Sequence, residues 1–372
     1  MKKILFIPAH AVEGTIRCRA IQLARYLSER HNVKYLTWSS DFTGSLAGRA
    51  KNMLSDFFRR SSVFSSEKIT MVRLPVLRRP LSVAGWFNER STVGWIERNG
   101  IEVVVSASVN MFPVPARRRF RYIFDFHDLP TPETETVYGR YKMRFVDREA
   151  AKADAVTACS AGLKKWAENR YRKQAYLVPN GVDLEQIRKV SAETISEVRK
   201  RYNLEGKFVI GCIGHLGPWM NLEFVHRVFK KFSGKFSDSV LFMVGPVTGF
   251  KPPEGDNVIY TGPVSPAEVD RYFHVLDVGL LPKIIDPSQN MAFHIKIIEY
   301  TAVKKPVLSS PLDEIKRLNW PNILVADYNE EKWLENLCAA RRMPWKKEWD
   351  NLVSAYDWQI ICRGLDEIIE KL

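Results

Sequence analysis

HIKIIEYTAVKKPVLSS, His294 to Ser310, is the stretch on which the fold turns. Ile295, Ile297, Ile298 and Tyr300 give its first part the density of a packed helix, and PVLSS reads as a buried strand. Upstream stands VGLLP, 278–282, another strand, followed by a loop at 283–293 that carries Pro, Ser and Asn at 287, 288 and 290. Strand, loop, helix, strand is the repeating unit of a parallel α/β sheet. Lys296 and Glu299 are at odds with simple packing, because three residues apart they share one helix face. A solvated ion pair is the plain reading. A carboxylate placed to accept hydrogen bonds from ligand hydroxyls is the other.

The same alternation runs outward in both directions. KFVIGCIGHLG (207–217) opens a second α/β half, followed by the helix NLEFVHRVFKKFSG, the strands SVLFMVGP and NVIYTGPV, and the helix SPAEVDRYFHVL. The first half opens the same way. KKILFIPA (2–9) is a strand, IRCRAIQLARYLSER (16–30) carries apolar residues at helical spacing, and NVKYLTW (32–38) is a strand. IEVVVSAS, RYIFDFHDL and AVTACS add three further strands, whereas 41–100 reads as less regular. The fold class is therefore α/β, with two doubly wound Rossmann-like domains facing a cleft. The expected boundaries are 1–180, 181–350, and a C-terminal helix at 351–372 that packs back on the first domain. Ligands of such sheets bind beyond the carboxyl ends of the strands, so the loops after Ala9, Asp125, Ile213, Pro246, Pro263 and Pro282 are the expected site walls.

Composition narrows the class. The 372 residues are 45% hydrophobic and 26% charged, as in an ordinary globular chain. No apolar run approaches the ~18 residues of a spanning helix, and the run after MKK stops at Pro8, too short for a signal peptide. Five scattered cysteines argue against a disulfide framework and structural zinc, and point to the cytoplasm. The net charge is +14, but residues 1–175 hold 31 Lys and Arg against 16 Asp and Glu, while 176–372 hold 25 against 26. An anionic partner for the first half alone would explain the asymmetry.

In order and spacing, PNGVD, VIGCIGHLG, VLFMVGP, VIYTGPVSPAEVDRYFHVLDVGLLP and KIIEYTAVKKPVLSS resemble the retaining, nucleotide-sugar-dependent glycosyltransferases of the GT-B architecture, family four in particular. FHD at 126–128 and ADAVTACSAGLKKW at 153–166 fit the same frame. The resemblance implies a sugar transferred from a nucleotide sugar to a hydroxyl of a glycan or lipid-linked acceptor, with retention and with no metal or cofactor. It implies that Glu299 binds the donor ribose, since a carboxylate offers two acceptors to a vicinal diol. Lys296, Gly214, Lys283 and Asn290 would complete the donor site. This chain departs from the family in two places. Met291, beside Asn290, stands where many members carry an acid, and HLGPWMN (215–221) lacks their usual Arg and Lys. Lys283 and Lys296 are the expected substitutes for the diphosphate.

In the first domain, His127 and Asp128 end a strand and are the candidate catalytic residues, since the resemblance places a histidine there near the transferred sugar and the acceptor. Gly14 permits close backbone approach to a donor. Arg17 and Arg19 read either as solvated or as contacts to a phosphate. The basic clusters interleave with rings, Phe57, Phe58, Arg59 and Arg60 in one place and Arg117 to Arg121 with Phe120 in another, which suggests peripheral docking on the anionic inner face of the cell membrane. A nucleotide-sugar epimerase is the alternative on the same fold. A nucleic-acid-binding protein is disfavoured, because the second half is neutral and no binding motif is present.

Overall fold

The computed structural model describes residues 1–9, 18–38, 53–58, 60–66, 69–78, 81–108, 111–128 and 137–372. The chain divides into two units, Met1–Pro179 with Trp358–Leu372, and Asn180–Asp357. The strands of the first unit are β1 (Lys3–Ile7), β2 (Asn32–Thr37), β3 (Ser62–Ser66), β4 (Ile69–Arg73), β5 (Val103–Ser106), β6 (Arg121–Phe126), β7 (Ala155–Ala158) and β8 (Ala175–Leu177). They lie in the order β3-β4-β2-β1-β5-β6-β7-β8. All pairings are parallel except β3 with β4. The order reverses direction between β1 and β5, which is the switch point of a doubly wound sheet.

The second unit holds β9 (Phe208–Ile213), β10 (Ser239–Val244), β11 (Val258–Tyr260), β12 (Val278–Leu281), β13 (Val307–Ser309) and β14 (Ile323–Val325). Their order is β11-β10-β9-β12-β13-β14, parallel throughout, with the switch between β9 and β12. The central strands are apolar runs of the sequence, because helices cover both faces and most of their positions are buried. Val278–Leu281, for example, is buried at all four residues.

The closing helix, Trp358–Lys371, belongs to the first unit. Trp358, Ile361, Leu365 and Ile369 enter the core formed by Ile4, Phe6, Leu23 and Leu27. Polar contacts fix its end: Lys2 Nζ donates to the Ile369 carbonyl at 2.6 Å, and His31 Nε2 lies 2.6 Å from Asp366 Oδ1.

Within 41–100, the described residues are more ordered than the sequence suggests. They supply β3, β4 and a helix of 19 residues, Leu81–Asn99. The buried face of that helix runs Ala84, Asn88, Thr92, Trp95 and Ile96, so polar residues occupy positions where periodicity looks for apolar ones. Asn88 is fully buried yet satisfied. Its Oδ1 accepts from the Leu77 amide at 2.8 Å, and its Nδ2 donates to the carbonyls of Leu77 and Met111. The expected loop 283–293 contains a short helix, Pro287–Met291, capped by Asp286 with Pro in its first turn.

Candidate active site

The helix Ile295–Ala302 is anchored by Tyr300. Its ring lies under Gly279 of β12, where an added Cβ would come within 2.5 Å of it, and its hydroxyl accepts from the Ile213 amide at 3.0 Å. Burial pushes the phenol well above its usual pKa, so it stays neutral. This anchor sets Glu299 and Lys296 beside the carboxyl end of β9. Gly214, the residue after β9, has φ +129° and approaches Lys296 so closely that a Cβ would lie 3.0 Å from its Cε. Both the conformation and the contact call for glycine there.

Lys296 Nζ is 2.7 Å from Glu299 Oε2. The approach lies off the hydrogen-bonding direction, and Oε2 is buried without a hydrogen-bond donor. Lys296 Nζ also sits 5.1 Å over the Phe273 ring. His294, the N-cap, makes no side-chain cap to this helix. Its Nε2 donates instead to the Gln289 carbonyl at 2.8 Å, and burial pulls its pKa down to about 4.

Lys283 follows β12 at the same switch point. It pairs as an antiparallel bridge with Met220, and its Nζ lies 5.4 Å over the Trp219 ring. Trp219 closes on Gly217 and meets His215 edge-on at 5.0 Å, while His215 Nε2 lies 2.7 Å from Thr248 Oγ1. In this chain the segment lacking Arg and Lys is thus filled by aromatic rings with one lysine laid across them. Asn290 Oδ1 accepts from the Asp313 amide at 3.3 Å, which ties the short helix Pro287–Met291 to the chain after β13. The structure brings Gly214, Lys296 and Glu299 together and sets Lys283 at the same end of the sheet.

The first-unit residues divide differently. Gly14 and Arg17 lie outside the described residues. Arg19 is neither solvated nor free for a phosphate. It is buried, with Nε 2.8 Å from Asp125 Oδ2, Nη2 2.9 Å from Oδ1, and Nη1 donating to the Pro179 carbonyl at 2.7 Å. Thr157 adds a 2.6 Å bond to Oδ1. Burial alone would raise the Asp125 pKa, but the Arg19 guanidinium and Thr157 outweigh it and hold the carboxylate low. The sequence signal for this pair was an acid inside an otherwise apolar strand, RYIFDF, which needs a partner when buried. His127 is half-buried and Asp128 exposed, both just beyond β6. The His127 carbonyl accepts from Cys159 Sγ at 3.1 Å.

Two other features compete for attention. His31, Asp366 and Glu370 bring three potential metal ligands together. Yet His31 Nδ1 accepts from the Lys2 amide at 3.1 Å and Arg30 pairs with Asp366, so the cluster is a clasp for the last helix. A groove of about 850 Å³, lined by Glu102, Arg118, Arg119 and Arg121, opens at the amino ends of β5 and β6. Open parallel sheets bind ligands at the other end. No helix among the described residues is long and apolar enough to cross a membrane.

A glycosyltransferase family 4 model matches residues 19–186, and a glycosyl transferases group 1 model matches 207–341. A putative teichuronic acid biosynthesis glycosyltransferase of Bacillus subtilis strain 168 is 26% identical over 273 residues, and the match covers 65% of this chain and 65% of that relative's length. Among solved structures, the sucrose-phosphate synthase of Thermosynechococcus elongatus superposes with TM-score 0.71 at 14% identity, covering 100% of this chain and 99% of that one. The Anabaena protein HepE in complex with UDP and glucose superposes with TM-score 0.69 at 15% identity over the whole of both chains.

Proposed function

Because the chain belongs to the GT-B glycosyltransferases of the family 4 type, we propose that it transfers a sugar from a nucleoside-diphosphate sugar to a hydroxyl of a saccharide or lipid-linked acceptor, with retention. The observation that carries the donor assignment is Glu299 Oε2, a buried carboxylate oxygen without a hydrogen-bond donor. Its partner in the fold is the Lys296 ammonium, 2.7 Å away and off the hydrogen-bonding direction, so the oxygen keeps acceptor capacity. A ribose hydroxyl supplies the missing donor, and the second carboxylate oxygen takes the neighbouring hydroxyl.

The remaining roles follow from charge and reach. Lys296 and Lys283 face the diphosphate in place of the absent Arg and Lys. Gly214 lets the backbone after β9 approach it. Leaving-group charge is then met by fixed cations and backbone N–H groups, with no metal in the reading. His127 and Asp128 are assigned to the acceptor and the transferred sugar. A uridine donor is supported by the complexes of the Anabaena neighbour with UDP and with UDP-glucose. The epimerase alternative is not favoured, since both matched family models are of glycosyltransferases.

The test is calorimetry with UDP, GDP and ADP and with their glucose conjugates. The wild-type chain should bind one nucleoside diphosphate, and at about 100 times its dissociation constant that ligand should add about 2.7 kcal/mol of stability. Glu299→Ala should lose about a hundred-fold in affinity. An unchanged affinity removes Glu299 from the donor site, and no binding of any nucleotide by the wild-type chain removes the whole reading.

A further inference from the structure

The first unit holds 33 Lys and Arg against 19 Asp and Glu, and the second holds 23 of each. Charge alone does not say where an anionic partner sits. The exposed apolar side chains narrow it. Phe58 is 74% exposed and Trp86 is 60% exposed. Leu54 and Val83 are exposed as well, one helical turn from Phe58 and from Trp86 respectively. A short helix at 53–58 and the helix Leu81–Asn99 are joined through Phe57, whose ring meets Phe58 at 4.9 Å and Phe87 at 5.1 Å. Residues 53–58 and the start of Leu81–Asn99 therefore form one apolar surface.

That surface is built on a firm base. Asp56, on the same short helix, is buried and pairs with Arg78 at 2.5 Å, and its carbonyl accepts from the Val76 amide at 3.1 Å. Folding thus spends a buried ion pair to hold a segment that leaves a phenylalanine in water. Cations rim the rings. Arg60 is exposed, and the exposed Arg90 stacks 5.1 Å over Trp86. The other basic cluster, at Arg117–Arg121, does not share this character, because Phe120 is only 5% exposed. Arg117, Arg119 and Arg121 are exposed there, without a ring beside them at the surface.

We propose that the apolar face of Leu54, Phe58, Val83 and Trp86, rimmed by Arg60 and Arg90, inserts into the interface of an anionic lipid bilayer. The chemistry matches on both counts. Rings and aliphatic side chains enter at the headgroup boundary, and long arginines reach lipid phosphates beside them. A second copy of the chain would meet this unit's net charge of +14 with the same charge, whereas an anionic lipid surface suits both the rings and the cations. The inference is independent of the donor site, which lies in the other unit.

Full-length protein is sedimented with vesicles of phosphatidylcholine alone and of phosphatidylcholine with phosphatidylglycerol. Binding should need the anionic lipid and fall with salt. Phe58→Ser with Trp86→Ser should lower it at least ten-fold. Arg60→Glu with Arg90→Glu should lower it about thirty-fold or more, each basic side chain at an anionic surface contributing about five-fold. All four residues are exposed, so the melting temperature and nucleotide binding should stay unchanged. Anionic binding that both double variants retain would place the contact elsewhere and overturn the assignment. So would an absence of anionic binding, or self-association of the wild-type chain that Phe58→Ser with Trp86→Ser abolishes.

Discussion

Each unit carries an ion pair towards the carboxyl ends of its strands, and the two pairs are built differently. Arg19 and Asp125 make two parallel bonds, both are buried, and Thr157 and the Pro179 carbonyl use further capacity on each partner. Lys296 and Glu299 make one contact, both are partly exposed, and Glu299 Oε2 has no hydrogen-bond donor. A saturated pair has little left to offer a ligand. An unsaturated one has acceptor capacity held in place by folding. Satisfaction of hydrogen bonds, rather than charge, separates the structural pair from the binding pair.

The sharpest test of that distinction is stability. Asp125→Ala leaves a buried arginine without its counter-charge and should cost about 3–5 kcal/mol. Glu299→Ala removes one partner of a partly exposed ion pair, and should shift unfolding by less than about 1 kcal/mol. Urea unfolding of both variants measures the contrast. Equal losses would erase it, and a near-neutral Asp125→Ala would return Arg19 to the pool of possible phosphate contacts.

A pH scan probes the second unit from another side. Burial holds the His294 pKa at about 4, against an ordinary value of 6.5. Between those limits the unfolded chain takes up a proton that the folded chain refuses. The contribution is therefore complete above about pH 6.5 and is lost as pH falls towards 4, to a total of at most roughly 3 kcal/mol. His294→Gln should flatten this part of the profile, so the melting temperatures of the two proteins should converge on acidification. Parallel profiles would mean that His294 protonates in place.

Much of this is legible in the sequence. Buried parallel strands are apolar runs, so most of the strands are read directly from the sequence, and glycine, lysine and glutamate around 214 and 296–299 stand out against the helix that carries them. Three features escaped for physical reasons. Leu81–Asn99 buries Asn88 and Thr92 in place of apolar residues, which breaks the period. β14 is a three-residue edge strand, half-buried at every position. Arg19 finds Asp125 at a distance of 106 residues along the chain, and no local pattern encodes such a pairing. Arginine beside a glycine loop looked like a ligand contact because its partner was out of sight.

The smallest expected effect separates the two lysines from the carboxylate they accompany. If Glu299 takes the ribose, its loss should weaken a nucleoside and a nucleoside diphosphate alike. If Lys296 and Lys283 take the diphosphate, their loss should spare the nucleoside. Lys296→Ala and Lys283→Ala should each weaken nucleoside diphosphate about ten-fold, as for a partly exposed charge-assisted contact. Nucleoside affinity should change less than about two-fold. Lys283→Ala also uncovers the face of Trp219, so Lys283→Arg, which keeps both the charge and the ring contact, should restore most of the loss. Calorimetry with uridine and UDP on these variants decides it. Equal losses for both ligands would mean that the lysines shape the pocket without meeting phosphate, and the substitution of these two lysines for the missing Arg and Lys would fall.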